Sequence, residues 1–189
     1  MSDLRHVRTE RLQLDVPTID DLEPLHVVYA DPRTWAHSPD HLHADERTTF
    51  VMLAGWLDGW ERDGLGPWVV RSLDGGAFLG NAGRWLLAAG CWRGGWWNLG
   101  YAIAPDARRA GLATKAARPA LAAARAVRPD TPLIARLLEH NSASKGVAER
   151  LGMTRVHRGP DEGNPDPAAI RLIYCDRDLT PEELTARLG

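Results

Sequence analysis

The alternation of apolar and polar residues along the chain predicts strands and helices in mixed order. Residues 12–16 alternate at period two, as a half-buried strand does, whereas residues 44–62 repeat apolar side chains at helical spacing. The segment Asp74-Gly75-Gly76 separates two apolar runs and is typical of a hairpin turn. The predicted strands are 12–16, 68–72, 77–80 and onward, 96–104, 133–138, 153–158 and 169–177, and the predicted helices are 18–30, 44–62, 112–127 and 142–151.

This order of elements is typical of a single α/β (α+β) domain. Neither a repeat nor a low-complexity linker interrupts it, so we assign residues 7–180 to one domain and residues 181–189 to a C-terminal tail. A chain of 189 residues is long enough to build one core without a metal or a disulfide, because it buries about 70% of its unfolded surface on folding.

Composition and charge narrow the class of function. Hydrophobic residues make up 44% of the chain, and 23 basic and 25 acidic residues give a net charge of −2, which argues against nucleic-acid binding through a global positive field. The apolar runs fall short of the roughly 20 residues of a membrane span, and residues 1–5 do not begin a signal peptide. We therefore expect a cytoplasmic protein, monomeric or homodimeric, that binds neither membrane nor nucleic acid.

The cysteines and histidines do not predict a metal site. Cys91 and Cys175 lie far apart in the sequence, and no Cys/His grouping has the spacing of zinc ligands. His37, His41 and His43 are neighbours, but they lack an ordered set of carboxylate or thiolate partners. Two cysteines without a pairing pattern fit a reducing compartment.

The most informative local feature is the turn at residues 108–114, where two arginines precede small residues and a helix. Unpaired backbone N–H groups and partial positive charge at a helix N-terminus attract anions, and small residues let a ligand approach closely. Ala110, Gly111 and Ala113 supply the smallness, and Thr114 adds a hydroxyl group. The alternative is that the small residues serve close packing while the arginines lie on a solvated face. Local chemistry leaves both interpretations open.

Four segments, in the family's order, resemble the GNAT superfamily of acyl-CoA-dependent N-acetyltransferases. Residues 108–113 match the signature (Gln/Arg)-x-x-Gly-x-(Gly/Ala), and they follow a strand that ends Gly-Tyr-x-Ile-x-Pro at residues 100–105. Residues 139–153 resemble the family's Asn-x-x-Ser…Leu-Gly-Phe segment, and residues 7–14 resemble the branch of ribosomal-protein N-terminal (alanine/serine) acetyltransferases. The resemblance implies a mixed, mostly antiparallel central sheet of about seven strands with about four flanking helices.

The resemblance also implies acetyl-CoA as co-substrate, and it assigns residues to the parts of that molecule. The backbone amides of residues 109–114 would hold the pyrophosphate, and the backbone of residues 102–104 would pair with pantetheine like an added strand. Asn141 would hydrogen-bond the pantetheine arm, Ser144 would lie near the sulfur, and Lys145 would approach the adenosine or the 3′-phosphate. The implied cofactor-binding residues are Ala102, Ile103, Ala104, Arg108, Arg109, Ala110, Gly111, Leu112, Ala113, Thr114, Asn141, Ser144 and Lys145.

Simpler roles remain open for some of these residues. Asparagine is a good helix N-cap, so Asn141 can cap the helix at residues 142–151 whether or not it binds a ligand. Ser144 can be an ordinary first-turn serine. Where the family commonly has glycine followed by a basic residue, this chain has Arg109 and Ala110, so the positive charge is kept but relocated.

Acetyl transfer to an amine needs a neutral nucleophile, a polarised carbonyl group and a proton for the leaving thiolate. By resemblance, an amide at or near Ile103 would polarise the carbonyl. Many relatives have a glutamate base where this chain has Asn98, and a family tyrosine that acts as general acid would fall at Ala148. Both of these proton carriers are therefore missing. The candidate catalytic residues that remain are His140, Ser144, Asn98 and Tyr174.

His140 is the candidate base, because an imidazole with a reference pKa of about 6.5 suits proton relay. It would act directly or through a water chain that it organises together with Asn98. The candidate acids are Ser144 and Tyr174. A lone histidine at a strand end can also be structural, so these assignments are alternatives.

Eight tryptophans are many for a chain of this length, and one of them lies in an unusual loop. Trp35 shares the segment between the first two helices with three histidines, in the loop that walls the acceptor site in the family. Most of the tryptophans are expected in the core. We interpret this loop as the wall of an aromatic pocket for a primary amine on a small molecule or a peptide N-terminus. The candidate acceptor-binding residues are Trp35, His41 and Asn98.

Three functions follow from these features. The first is N-acetylation of an amine by acetyl-CoA, through direct attack in a ternary complex. The second is a catalytically weak or silent CoA-binding or regulatory module on the same fold, because a fold does not guarantee an activity. The third, acetylation of an antibiotic, differs from the first only in its acceptor.

Overall fold

In the computed structural model, the described residues are 4–87, 95–108, 111–180 and 182–183, and they form eight strands and four α-helices. The strands are β1 (His6–Arg8), β2 (Leu12–Asp15), β3 (Trp68–Ser72), β4 (Phe78–Leu87), β5 (Trp96–Ile103), β6 (Leu133–Leu138), β7 (Thr154–Pro160) and β8 (Ile170–Cys175). The helices are α1 (Leu22–Tyr29), α2 (Glu46–Asp63), α3 (Leu112–Val127) and α4 (Ser142–Arg150).

All eight strands belong to one sheet, in the order β1-β2-β3-β4-β5-β6-β8-β7. Neighbouring strands are antiparallel except β5 and β6, which are parallel. The expectation of a mixed, mostly antiparallel sheet with four helices is therefore confirmed. The additional strand is β1, which pairs with β2 at the edge of the sheet and was too short to be predicted from its sequence pattern.

The pairing between β5 and β6 ends early. Eight residue pairs join β4 to β5, but β5 pairs with β6 only at Trp97–Leu133 and Asn98–Ile134. Beyond Asn98 the two parallel strands diverge. The sheet therefore contains a wedge-shaped gap that widens toward the C-terminal ends of β5 and β6.

The helices pack on opposite faces of the sheet. On one face, the alanine-rich side of α3 is buried in a core cluster with Ala82, Trp97 and Leu99. On the other face, α1 and α2 pack over Val69 and Ala102.

Local sequence explains where the helices begin and end. The predicted helix at 18–30 begins as a 3-10 turn, in which Thr18 and Asp21 form a capping box, and continues as α1. Asp45 caps α2 by accepting a hydrogen bond from the amide of Thr48, and Gly64 ends it in a left-handed conformation with a φ of 66°. The helix predicted at residues 112–127 coincides with α3.

One buried cation lies on the α3 face of the sheet. The Arg84 side chain in β4 is fully buried, its guanidinium carbon lies 3.3 Å from the centre of the Trp97 ring, and its nitrogens have no hydrogen-bond partner among the described residues. Burial, with Arg128 nearby, lowers its pKa to about 9. The nearest acid that opposes this shift, Asp63, is itself paired with Arg62 and Arg128.

Some expectations fall outside the described part of the chain. Arg109 and Ala110 of the phosphate-binding turn, Cys91, and residues 181 and 184–189 of the tail lie there. Within the described ranges, none of the helices is long and apolar enough to cross a bilayer.

Candidate active site

A cavity of about 360 Å³ opens where β5 leaves β6, and we call it the gap cavity. Its walls come from β5, β6, the start of α4 and the loop between α1 and α2, which we call the α1–α2 loop (residues 31–45). Three expected site residues, Asn98, Asn141 and Ser144, line it, as do Trp35 and His41 of the α1–α2 loop. Residues separated by more than 100 positions in the sequence therefore meet at the gap.

Backbone amides of β5 alternate between the two sides of the strand. The amide of Trp97 donates to the carbonyl oxygen of Pro132 on the β6 side, while the amide of Ala104 donates to Leu79 on the β4 side. The register between β4 and β5 is continuous, so this alternation holds along the strand. The amides of Tyr101 and Ile103 therefore point into the gap.

The same alternation separates the three residues expected to bind pantetheine. Ile103 presents its amide to the gap, whereas Ala102 pairs with Asn81 of β4 and the amide of Ala104 is used by Leu79. Of the residues beyond the pairing with β6, Tyr101 and Ile103 thus have amides available to a ligand that enters beside this strand.

Two buried carboxamides face the α1–α2 side of the gap cavity. Asn81 on β4 is 1% exposed and Asn98 on β5 is 8% exposed, and both line the cavity. Neither Oδ1 atom has a hydrogen-bond partner in the described part of the chain. A buried polar atom without a partner costs free energy, so these two acceptors are suited to a ligand that brings N–H donors.

An aromatic cluster separates the gap cavity from a larger neighbour. Tyr29 and Trp35 have ring centroids 5.2 Å apart, and His41 stacks on Trp35 at 5.4 Å. These three residues line both the gap cavity and a second cavity of about 630 Å³. We call the second cavity the α2 groove, because much of its wall is one face of α2.

Two glycines form part of the wall of the α2 groove. Gly55 and Gly59 lie one helical turn apart on α2 and line the groove, and a Cβ atom at either position would meet nothing within 4 Å. Trp56 and Met52 add apolar surface beside them. The groove is therefore wide enough for a side chain or a ring, and Trp35 lines both it and the gap cavity.

Two side chains anchor the α1–α2 loop to the strands that border the gap. Arg108, just after β5, donates from Nε to the carbonyl oxygen of Ile103 at 3.0 Å and from Nη1 to that of Arg33 at 2.8 Å. His140, just after β6, lies with Nε2 2.9 Å from the carbonyl oxygen of His37. Because a carbonyl only accepts, His140 carries hydrogen on Nε2 in this contact. The loop is thus held at both banks of the gap.

Burial shifts the pKa values of several groups in this region. Desolvation lowers the pKa of His37, and the positive charges of His41, Arg108 and His140 lower it further. Desolvation raises the pKa of Tyr29 and raises that of Tyr101 to about 12, so both phenols stay neutral near pH 7. The site accordingly holds a neutral imidazole and neutral hydroxyl groups.

The N-terminus of α3 lies after the end of β5. Gly111 precedes the helix with a φ of 69°, a left-handed conformation that favours glycine, and α3 has no side-chain cap among the described residues. The first amides of the helix, at Leu112, Ala113 and Thr114, have no carbonyl of a preceding turn to bond. A cation near this end, Lys115, lies 3.4 Å from Glu10.

The opposite bank of the gap is the start of α4. Asn141 caps this helix by accepting a hydrogen bond from the amide of Ser144 at 3.0 Å, so its capping role is confirmed and its Nδ2 group is left for another acceptor. The hydroxyl of Tyr101 lies 3.4 Å from the backbone oxygen of Ser144. Lys145 is partly exposed on the next position of the helix.

Two of the four candidate catalytic residues do not line the gap cavity. The side chain of His140 is exposed and is used to hold the backbone of His37. Tyr174 is buried in β8, and its hydroxyl donates to Glu149 of α4 at 3.3 Å. Asn98 and Ser144, by contrast, both border the cavity.

The sequence pattern had not singled out Asn81, Tyr29 or His37 as site residues in their own right. A signal existed for Asn81, because it is a polar residue within the apolar and small residues of β4. His37 was visible only as one of three neighbouring histidines. Its placement depends on how the α1–α2 loop folds over the gap.

Comparisons with known proteins agree with this architecture. The family model of the acetyltransferase (GNAT) domain matches residues 11–154. No curated protein matches the sequence at a significant level.

Solved structures with similar folds cover nearly the whole chain. An acetyltransferase from Agrobacterium tumefaciens is 23% identical, with a TM-score of 0.72 over 94% of this chain and 97% of its own. The ribosomal L7/L12 α-N-protein acetyltransferase RimL, in complex with coenzyme A, is 16% identical, with a TM-score of 0.71 over 90% and 96%. An acetyltransferase from Salmonella typhimurium that modifies the N-terminal serine of ribosomal protein L7/L12 is 17% identical, with a TM-score of 0.70 over 91% and 97%. Because the family model covers most of the chain, and the fold is shared, the protein belongs to the GNAT acetyltransferase family.

Proposed function

We propose that this protein transfers an acetyl group from acetyl-CoA to a primary amine in a ternary complex. The observation that carries the proposal is the pair of buried carboxamides, Asn81 and Asn98, whose free acceptor atoms border the gap between β5 and β6. An amine brings N–H donors to such acceptors, and the gap gives a thioester arm a route to the same place.

The pantetheine arm of acetyl-CoA fits the gap because backbone groups on one bank are free. We infer that the amide of Ile103 pairs with the arm and that the Nδ2 group of Asn141 donates to it from the other bank. A ligand strand that completes an open sheet gains main-chain hydrogen bonds in this way. The relative RimL, whose structure contains coenzyme A, supports this choice of co-substrate.

The pyrophosphate of the co-substrate fits the N-terminus of α3. Its free amides at residues 112–114 and the partial positive charge of the helix end favour an anion. Gly111 keeps the approach open, since a Cβ atom there would meet nothing within 4 Å. We infer that the guanidinium of Arg108 contributes its charge from nearby while its nitrogens bond to backbone oxygens.

The reacting carbonyl group would lie near the vertex of the gap, close to Asn98. The amide of Tyr101 is the free amide nearest this vertex, and it is the donor we assign to the developing negative charge on the carbonyl oxygen. Ile103, which the family resemblance suggested, lies two residues further out along β5 and suits the arm of the cofactor. Asn81 and Asn98 would accept hydrogen bonds from the attacking amine and fix the direction of its lone pair.

The body of the acceptor would occupy the α2 groove, since Trp35 and His41 line both the groove and the gap cavity. Its aromatic and apolar walls suit a small molecule with a ring or an apolar group, or the first side chains of a peptide. Two relatives acetylate the N-terminus of a ribosomal protein, which supports the peptide class.

An acceptor screen tests the proposal. The protein is incubated with acetyl-CoA and a panel of aliphatic amines, aminoglycosides and peptides with different first residues, and release of free thiol is followed together with the mass of the acceptor. We expect a mass gain of one acetyl group on an amine. Binding of acetyl-CoA without turnover on any acceptor would instead indicate a silent CoA-binding module, and turnover confined to aminoglycosides would indicate antibiotic modification.

A further inference from the structure

The gap cavity needs a proton acceptor, and its lining leaves few choices. No carboxylate of the described residues lines it. The titratable groups that do are two phenols, two guanidiniums and two imidazoles, namely Tyr29, Tyr101, Arg136, Arg171, His37 and His41. The phenols have raised pKa values, and guanidinium groups stay protonated, so only the imidazoles can take up a proton near neutral pH.

The two imidazoles differ in their surroundings. His41 is exposed, its Nδ1 lies 2.8 Å from the hydroxyl oxygen of Ser38, and its ring stacks on Trp35. His37 is half-buried, and neither of its ring nitrogens has a hydrogen-bond partner within the described ranges. A ring nitrogen without a partner beside a cavity is available to a ligand.

We propose that His37 is the general base of this enzyme, with His140 as the residue that positions it. This inference rests on the proposed acetylation of an amine. His140 acts through the backbone, since its Nε2 group holds the carbonyl oxygen of His37 from the end of β6. The arrangement replaces the missing carboxylate at position 98 with an imidazole that reaches the same cavity from the α1–α2 loop.

Acetyl transfer releases one proton from the amine and consumes one proton at the sulfur. The lone pair of the neutral amine forms the new C–N bond to the acetyl carbon, and the nitrogen then gives one proton to a ring nitrogen of His37. The C–S bond breaks with its electron pair moving to sulfur, and the thiolate takes up one proton from water. His37 returns its proton to water, so the products are an amide and a free thiol with no net change in charge.

The surroundings of His37 keep it ready to accept a proton. The charged or titratable groups that face it are His41 on the same loop, Arg108 after β5 and His140 after β6. Each opposes protonation when charged, and burial acts in the same direction. His37 therefore stays neutral to a lower pH than an exposed histidine, which predicts that the reaction persists into mildly acidic solution.

The test compares His37→Gln with His41→Gln and with His6→Gln, an exposed histidine on β1 far from the gap. For each variant, kcat is measured from pH 5 to 9 at saturating concentrations of an acceptor found in the amine screen, and KM for acetyl-CoA is measured at pH 7.5. We expect H37Q to lower kcat about 100-fold, a typical loss for a general base, and to remove the acid limb of the pH profile. KM for acetyl-CoA should change less than threefold, and H6Q should match the wild type.

A second variant distinguishes chemistry from folding. In His37→Ala, added imidazole should restore part of kcat, and the restored rate should follow the concentration of neutral imidazole. His140→Ala should lower kcat less than H37Q while keeping an acid limb, because the base remains but is held less firmly.

The outcomes separate the two proposals. If the wild type acetylates an amine and H37Q keeps its kcat and its acid limb, His37 is not the base. The same conclusion follows if H41Q rather than H37Q removes the limb. If the wild type acetylates no amine, the proposed function itself fails, and the role of His37 fails with it.

Discussion

Buried polar side chains lie on both faces of the β4–β5 ribbon, and the two faces use them differently. On the α3 face, Arg84 is enclosed and stacked on Trp97. On the opposite face, Asn81 and Asn98 are equally buried but border the gap cavity. All three lack partners for buried polar atoms among the described residues. The difference is access, because an unpartnered group indicates a binding site only where a ligand can reach it.

Of the effects that follow from this comparison, the largest on activity is expected at Asn98, on the face that borders the gap cavity. Asn98→Leu should lower kcat/KM for the amine about 30- to 100-fold, which corresponds to the roughly 2–3 kcal/mol of a hydrogen bond to a reacting, partly charged group. The same substitution removes a buried Oδ1 atom that has no hydrogen-bond partner among the described residues, so the midpoint of chemical denaturation should stay equal or rise. Loss of both activity and stability would mean that Asn98 has a structural role.

On the α3 face, replacing Arg84 should change stability and leave activity unchanged. Arg84→Met keeps the length of the side chain and removes a buried charge, so the free energy of unfolding at pH 7 should rise by about 1–3 kcal/mol. Steady-state kinetics should be unchanged. A fall in stability would show that the stacking of Arg84 on Trp97 outweighs its desolvation.

The difference in stability between R84M and the wild type should depend on pH. The pKa of Arg84 is about 9 in the folded protein, well below that of an ordinary arginine, so the unfolded state holds the proton more tightly. Between these two values, stability of the wild type gains with rising pH relative to the variant. The advantage of R84M, measured in urea at pH 7 and at pH 10, should therefore shrink at the higher pH.

The α2 groove predicts that the enzyme selects acceptors by size. Gly59→Leu should fill part of the α2 groove and lower kcat/KM for bulky acceptors about tenfold, roughly 1.4 kcal/mol, while small amines react as before. The matched control is Gly59→Ala, which should stabilise α2 by about 0.5–1 kcal/mol without changing acceptor preference. An equal effect of G59L on small and bulky acceptors would place the acceptor elsewhere.

The smallest effect is expected at Asn141. Asn141→Asp keeps the cap of α4 through its carboxylate but removes the Nδ2 donor, so stability should be retained while KM for acetyl-CoA rises about three- to fivefold, close to 1 kcal/mol. Asn141→Ala, which removes the cap as well, should cost about 1 kcal/mol of stability. An unchanged KM in N141D would restrict this residue to capping.

Local patterns were sufficient to predict most of the fold. Alternation predicted β2, the alanine-rich run with its flanking glycine and proline predicted α3, and Asp74-Gly75-Gly76 predicted the β3–β4 hairpin. The end of the β5–β6 pairing has no such local signal, because strand pairing depends on partners that are more than 30 residues apart. The family resemblance implied it instead, because residues 102–104 can pair with pantetheine like an added strand only where they do not pair with a neighbouring strand.

Site residues whose position depends on their sequence neighbours were predictable, and those whose position depends on distant contacts were not. Asn141 as a helix cap and Gly111 before α3 follow from nearby residues, and the structure confirms their positions. His140 was proposed as a base because its imidazole suits proton relay, yet its side chain points to the α1–α2 loop and supports His37 there. Loop placement is decided by long-range hydrogen bonds, so a sequence pattern identifies the histidines without ranking them.

The two hydrogen bonds that anchor the α1–α2 loop also couple the binding of the two proposed substrates. Arg108 ties the loop to the end of β5 and His140 ties it to the end of β6, so a ligand that fixes the separation of these strands also fixes the loop that borders both cavities. In the proposed ternary complex, linkage requires that the acceptor raise the affinity for acetyl-CoA by the same factor by which acetyl-CoA raises the affinity for the acceptor. An equal gain in affinity in both directions, measured as the change in Kd of each substrate when the other is present, is therefore expected for the proposed ternary complex.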